Sequence, residues 1–138
     1  MAIHTLIVED NAVVRNIIKL RLEEAGCQVV AEAGNAFEAL NLFRSLRPEL
    51  VTLDLLMPQV SGIDARNLFR SIREESPQTA VIVISAQTGA TERAGYLAEG
   101  AIAYFEKPFI NAQTLLTTLA RVFPDLKTDA LKNPTRRL

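Results

Sequence analysis

Three carboxylates, a hydroxyl and an ammonium stand where apolar runs stop. Glu9 and Asp10 follow TLIV, Asp54 ends LVTLD, Ser85 closes AVIVIS, and Lys107 comes shortly after AIAYF. Asp54 is the hardest to explain as packing, because a carboxylate in an apolar run is seldom left without a partner. Gathered in one place, three carboxylates would repel one another and either raise a pKa or recruit a cation. Oxygen ligands with no His or Cys at hand select a hard ion, and Mg2+ suits a few carboxylates completed by water and phosphate oxygens. Such an ion would cancel enough charge for an anionic phosphoryl group to approach Asp54. Singly, most of these residues have plainer roles. Glu9 and Asp10 could cap the following helix as readily as hold a metal. Ser85 reads as a turn residue, and Lys107, before Pro108, as surface. Their recurrence at four of five strand ends is what points to a site.

The elements that would position them alternate along the chain. β-Branched runs at residues 5–8, 28–33, 50–54, 80–85 and 101–105 are mostly apolar at consecutive positions, the pattern of strands covered on both faces of a parallel sheet. Between them the spacing predicts helices. Val14, Ile18, Leu22 and Ala25, joined by Ile17, form the first stripe, with Gly26 as its stop. Ala36, Ala39, Leu40 and Phe43 form the second, behind an Asn35 N-cap, and Ala65, Leu68, Phe69 and Ile72 the third, ended by Ser76-Pro77. A weaker fourth stripe reads Ala94, Leu97, Ala98 and Ala101, interrupted by Gly95 and Gly100. The fifth is Ala112, Leu115, Leu116, Leu119 and Phe123, closed by Pro124. Five strands alternating with five helices predict an α/β fold, a doubly wound parallel sheet with right-handed crossovers. Ligands of such sheets bind beyond the carboxyl ends of the strands, where the winding reverses.

Composition narrows the function classes. With 138 residues, 49% of them hydrophobic, the chain suits one domain. A formal charge of −1 gives no global attraction to nucleic acid or an anionic membrane. One cysteine, Cys27, precludes an internal disulfide and reads as a small buried residue opening a strand. No apolar stretch is long enough for a bilayer, and the N-terminus turns acidic too early for a signal peptide, so the expected location is cytoplasmic. His4 precedes a strand and reads as an edge residue.

The set VEDN (8–11), LVTLDLLMPQVSG (50–62), VIVISA (81–86) and AYFEKPF (103–109), in order and at matched spacing, resembles the receiver domain of two-component response regulators. The resemblance covers residues 1 to about 124. It implies a flavodoxin-like receiver fold whose Asp54 accepts a phosphoryl group from a phosphohistidine of a sensor histidine kinase or phosphotransfer protein. It also implies a signalling protein that catalyses only its own phosphorylation and dephosphorylation. Asp10, Asp54 and the backbone carbonyl of Leu56 would hold Mg2+, Glu9 acting through water. Lys107 and Ser85 would contact the phosphoryl oxygens, and Lys107-Pro108 would be a cis peptide. Tyr104 would turn from exposed to buried as Ser85 moves, altering the face of helix 4, strand 5 and helix 5 for a downstream protein partner. A homodimer through such a face stays open.

Departures and rivals accompany this reading. Glu9 stands where the family often has aspartate. Leu56 and Gln87 occupy positions that tune hydrolysis of the acyl phosphate, and an apolar Leu56 cannot orient a water. A flavodoxin-like cofactor binder needs phosphate-cradling donors after the first strand, where this chain is acidic. No GxGxxG or GxxxxGK[ST] motif occurs. A metal-dependent phosphatase with an aspartyl nucleophile would want a second aspartate at position 56, and a phosphate-independent interaction module on the same fold is the third alternative. Residues 125–138 read as a short tail or linker stub with no room for an output domain, so a stand-alone receiver is expected.

Overall fold

The computed structural model describes residues 2–86, 89–107 and 111–124. Strands β1 (Ile3–Val8), β2 (Cys27–Ala33), β3 (Leu50–Leu53), β4 (Ala80–Ser85) and β5 (Ala103–Glu106) form one parallel sheet in the order β2-β1-β3-β4-β5. They alternate with α1 (Ala12–Glu24), α2 (Ala36–Leu46), α3 (Ala65–Glu75), α4 (Ala90–Ala98) and α5 (Ala112–Val122). This is the flavodoxin-like receiver fold. The winding reverses between β1 and β3, so a crevice opens beyond their carboxyl ends.

Alternation along each strand divides the core between two faces. Leu6, Val8, Val51, Leu53, Val81 and Val83 pack with Phe43 of α2 and Leu68, Phe69 and Ile72 of α3. On the other face, Ile7, Leu50, Ile82 and Ile84 meet Ile18 and Leu22 of α1 and Leu115, Leu116 and Leu119 of α5. Each fully buried side chain of this size stabilises the fold by about 1.5–3 kcal/mol. Four of the five helix starts are capped by side chains: Asn11 accepts from Val13 and Val14, Asn35 from Glu38, Asp64 from Asn67, and Asn111 from Gln113 and Thr114. Asp64 and Asn67 form a reciprocal capping box.

Four sequence expectations need correction. Ile17 lies on the outer face of α1, exposed along with Val13 and Leu20, because Ile18 and Leu22 already fill the inward stripe. Of the fourth stripe only Ala101, past the end of α4, is buried. Ala94, Leu97 and Ala98 are exposed, and the side chain that α4 buries is Tyr96, whose ring covers far more apolar area than alanines can. The fifth strand starts at Ala103 rather than residue 101, since Gly100, at φ +112°, turns the chain and Ala101 N–H bonds back to the Tyr96 carbonyl. His4 lies inside β1, an inner strand, and is exposed. Gln87, the Lys107-Pro108 peptide and the tail lie outside the described residues.

Two substitutions test this packing. A Cβ on Gly100 would stand 2.6 Å from Arg73 Nε, and the left-handed φ is costly for any side chain. Gly100→Ala should therefore lower unfolding free energy by about 2 kcal/mol, measured by urea denaturation. Thr52 is fully buried in β3, and its Oγ1 has no hydrogen-bond partner among the described residues. Thr52→Val keeps the shape and removes the unmet hydroxyl, so stability should rise by about 1 kcal/mol in the same assay.

Candidate functional site

Three of the chemistry-bearing residues are fixed by a backbone bond just past a strand. Glu9 N–H donates to the Ala33 carbonyl at 3.0 Å, Asp54 N–H to Val8 at 3.0 Å, and Lys107 N–H to Ser85 at 2.9 Å. The sheet ladder is thereby carried one residue beyond β1, β3 and β5. Their side chains then meet over the crevice. A ligand atom from each of Glu9, Asp10 and Asp54 lies within 4.8 Å of the others. Lys107 Nζ stands 2.7 Å from Glu9 Oε1 and 3.2 Å from Asp54 Oδ2. Glu9 is fully buried and Asp54 nearly so, whereas Asp10 is exposed at the rim.

The remaining contacts orient this cluster. Asn11 N–H donates to Glu9 Oε2 at 3.1 Å, Arg15 Nη1 to the Glu9 carbonyl at 2.8 Å, and Leu56 N–H to Asp54 Oδ1 at 3.1 Å. The other two oxygens, Glu9 Oε1 and Asp54 Oδ2, are buried and both face the Lys107 ammonium. Burial pushes the Glu9 carboxyl up; the Lys107 and Asn11 hydrogen bonds oppose this, and the Asp54 charge adds to it. Burial by itself would depress the Lys107 ammonium, but its bond to Glu9 and the charges of Asp54 and Glu9 outweigh that and raise it. Two buried carboxylate oxygens that share a single ammonium, in an all-oxygen set with an exposed carboxylate at the mouth, fit a hard divalent cation.

Ser85 is fully buried at the end of β4. Tyr104, one strand over, is 3% exposed, so it already occupies the inward place that the resemblance assigns to the phosphorylated form. Burial raises the Tyr104 phenol, opposed by its hydrogen bond with Ser85. A hollow of roughly 500 Å³, lined by Arg47, Ser76, Thr79 and Phe123 among others, lies at the amino ends of the strands, away from the carboxylates. Its Ser76 and Thr79 hydroxyls are already paired at 2.8 Å.

Residues 5–120 match the response regulator receiver domain family. The chain belongs to that family. This receiver domain is 35% identical over 109 residues to the chemotaxis protein CheY of Thermotoga maritima, covering 79% of this chain and 88% of CheY. It is 36% identical over 105 residues to a protein-glutamate methylesterase/protein-glutamine glutaminase of Hahella chejuensis. That match covers 75% of this chain but only 29% of the enzyme. Among solved structures, the REC domain of AraT from Geobacillus stearothermophilus superposes with a TM-score of 0.77 at 29% identity, covering 94% of this chain and 98% of that one. Receiver domains are signalling phosphoacceptors that bind Mg2+ at an acidic pocket and interact with histidine kinases and downstream partners.

The structure therefore brings Glu9, Asp10, Asp54 and Lys107 together and sets Ser85 beside Tyr104. The Leu56 side chain points outward at 47% exposure, leaving only its backbone for the site. Two features escaped the sequence. Glu9 pairs directly with Lys107, and Tyr96 packs near Tyr104. The aromatic at position 96 was readable as a residue type, but its inward face was not.

Proposed function

We propose that the protein is a phosphorylation-dependent switch in which Asp54 accepts a phosphoryl group from a sensor kinase phosphohistidine. The P–N bond breaks as the P–O bond to a carboxylate oxygen of Asp54 forms, and the leaving imidazole keeps the electron pair and takes up a proton. The observation that carries this reading is the convergence of Asp54, Glu9, Asp10 and Lys107 at the switch point of the sheet. Transfer of this kind asks the protein for positioning and charge neutralisation more than covalent help.

Asp10, Asp54 and the Leu56 backbone carbonyl would hold Mg2+, with Glu9 acting through water; the ion supplies positive charge where phosphoryl oxygens gather. Lys107, a compact point charge, leaves its carboxylate partners to pair with those oxygens. Ser85 donates a hydrogen bond to another. Tyr104 follows Ser85, and the α4, β5 and α5 face carries the result to a downstream protein.

Intact-mass spectrometry after incubation with acetyl phosphate tests this. We expect a single phosphoryl adduct that requires Mg2+. No adduct under any condition would favour the phosphate-independent interaction module. Multiple turnover of an external phosphate ester would favour the phosphatase alternative, against which Leu56 stands where a general acid is needed.

A further inference from the structure

Tyr96 is 3% exposed on a helix that otherwise turns Ala94, Leu97 and Ala98 to solvent. Its ring meets Phe69 of α3 edge-on, with centroids 5.0 Å apart and planes at 73°. On its other side lies Tyr104, 6.5 Å away and tilted by 46°. Both separations fall in the attractive range for aromatic pairs. Cations cover the two tyrosines: the Arg66 guanidinium sits 5.3 Å from the Tyr96 centroid and Arg93 5.6 Å from that of Tyr104. Arg66 is itself tied to Glu99 at 3.0 Å, just past the end of α4. The Tyr96 carbonyl accepts from Ala101 N–H, which ties the backbone that carries the ring to the turn that leads into β5.

If Tyr104 swung outward, it would leave a ring-sized void against Tyr96, and voids of that size are costly in a packed core. The balance between outward and inward Tyr104 therefore depends on what stands at position 96. We propose that Tyr96 is a positioning residue that holds Tyr104 in its buried place before any phosphoryl group reaches Asp54. Its bearing on signalling rests on the function proposed above, because Tyr104 carries information only if it follows Asp54. The consequence is a switch preset toward its signalling form, in which phosphorylation has a smaller population left to shift.

The chain has no tryptophan and two tyrosines, so Tyr96→Phe and Tyr96→Leu each leave Tyr104 as the one tyrosine emitter. Acrylamide quenching then reads its exposure. In Tyr96→Phe, which keeps the ring, Tyr104 should stay protected. In Tyr96→Leu we expect the quenching constant to rise at least threefold, and beryllofluoride with Mg2+ to bring it back. Equal protection in the two variants overturns the proposal. A rise that beryllofluoride and Mg2+ do not reverse leaves the hold on Tyr104 established and overturns the Asp54 reading instead, so the two fail separately. Should Tyr96→Leu not fold, the unmodified wild-type protein gives the answer by NMR. Nuclear Overhauser contacts between the two tyrosine rings uphold the proposal, and their absence overturns it.

Discussion

Asp54→Asn should reduce covalent labelling by acetyl phosphate and Mg2+ to background while the protein stays folded. An amide oxygen is a poor nucleophile and forms no stable acyl phosphate, so the chemistry is removed without altering the shape of the side chain. The fold has no need of the charge. Asp54 sits beyond the end of β3, and its backbone N–H bonds to Val8 whichever side chain is present. Neutralising one of three crowded carboxylates also relieves repulsion, so stability without metal should hold or rise slightly. Mg2+ affinity should fall by at least tenfold with the loss of one charged ligand. Intact mass, circular dichroism and isothermal titration measure the three quantities. Stoichiometric labelling of Asp54→Asn would place the acceptor elsewhere.

Lys107→Ala should have two opposite signatures. Without metal, it removes the cation that faces Glu9 and Asp54, whose side chains are 1% exposed against 16% for Lys107 itself. Leaving a buried charge unpaired costs about 3–5 kcal/mol, and the open mouth at Asp10 suggests the lower end, about 3 kcal/mol. Mg2+ should restore much of that loss, because it substitutes one positive charge for another and binds only the folded chain. Labelling of Asp54 should survive, but Tyr104 should no longer respond to it. Thermal melts with and without Mg2+ separate these effects. An unchanged melting temperature in metal-free buffer would show that Lys107 is not the counter-charge.

Much of this arrangement was legible in the sequence, for a physical reason. Residues at the carboxyl ends of parallel strands must share one rim, so Glu9, Asp10, Asp54 and Lys107 could be placed together from strand ends alone. Inward stripes were readable on α2 and α3, where Phe43 or Leu68 and Phe69 share one face opposed by charged residues. On α4 the same reasoning failed. That helix is apolar on both sides, and periodicity does not say which stripe faces in when small alanines compete with one large ring. In α1, Ile17 and Ile18 are adjacent and equally apolar, yet only Ile18 turns inward. Pairings such as Glu9 with Lys107 join the ends of β1 and β5, the latter two strands beyond β3, and depend on side-chain reach that strand ends do not encode.

Reduction of the labelled protein with borohydride converts an aspartyl phosphate to a homoserine residue, and peptide mass spectrometry then locates it. We expect that mark on Asp54 alone, after incubation with acetyl phosphate and Mg2+, and its loss when the metal is chelated. A mark on any other residue, or none on Asp54 in protein shown to carry the adduct, would contradict the central claim that this rim of carboxylates makes Asp54 the acceptor.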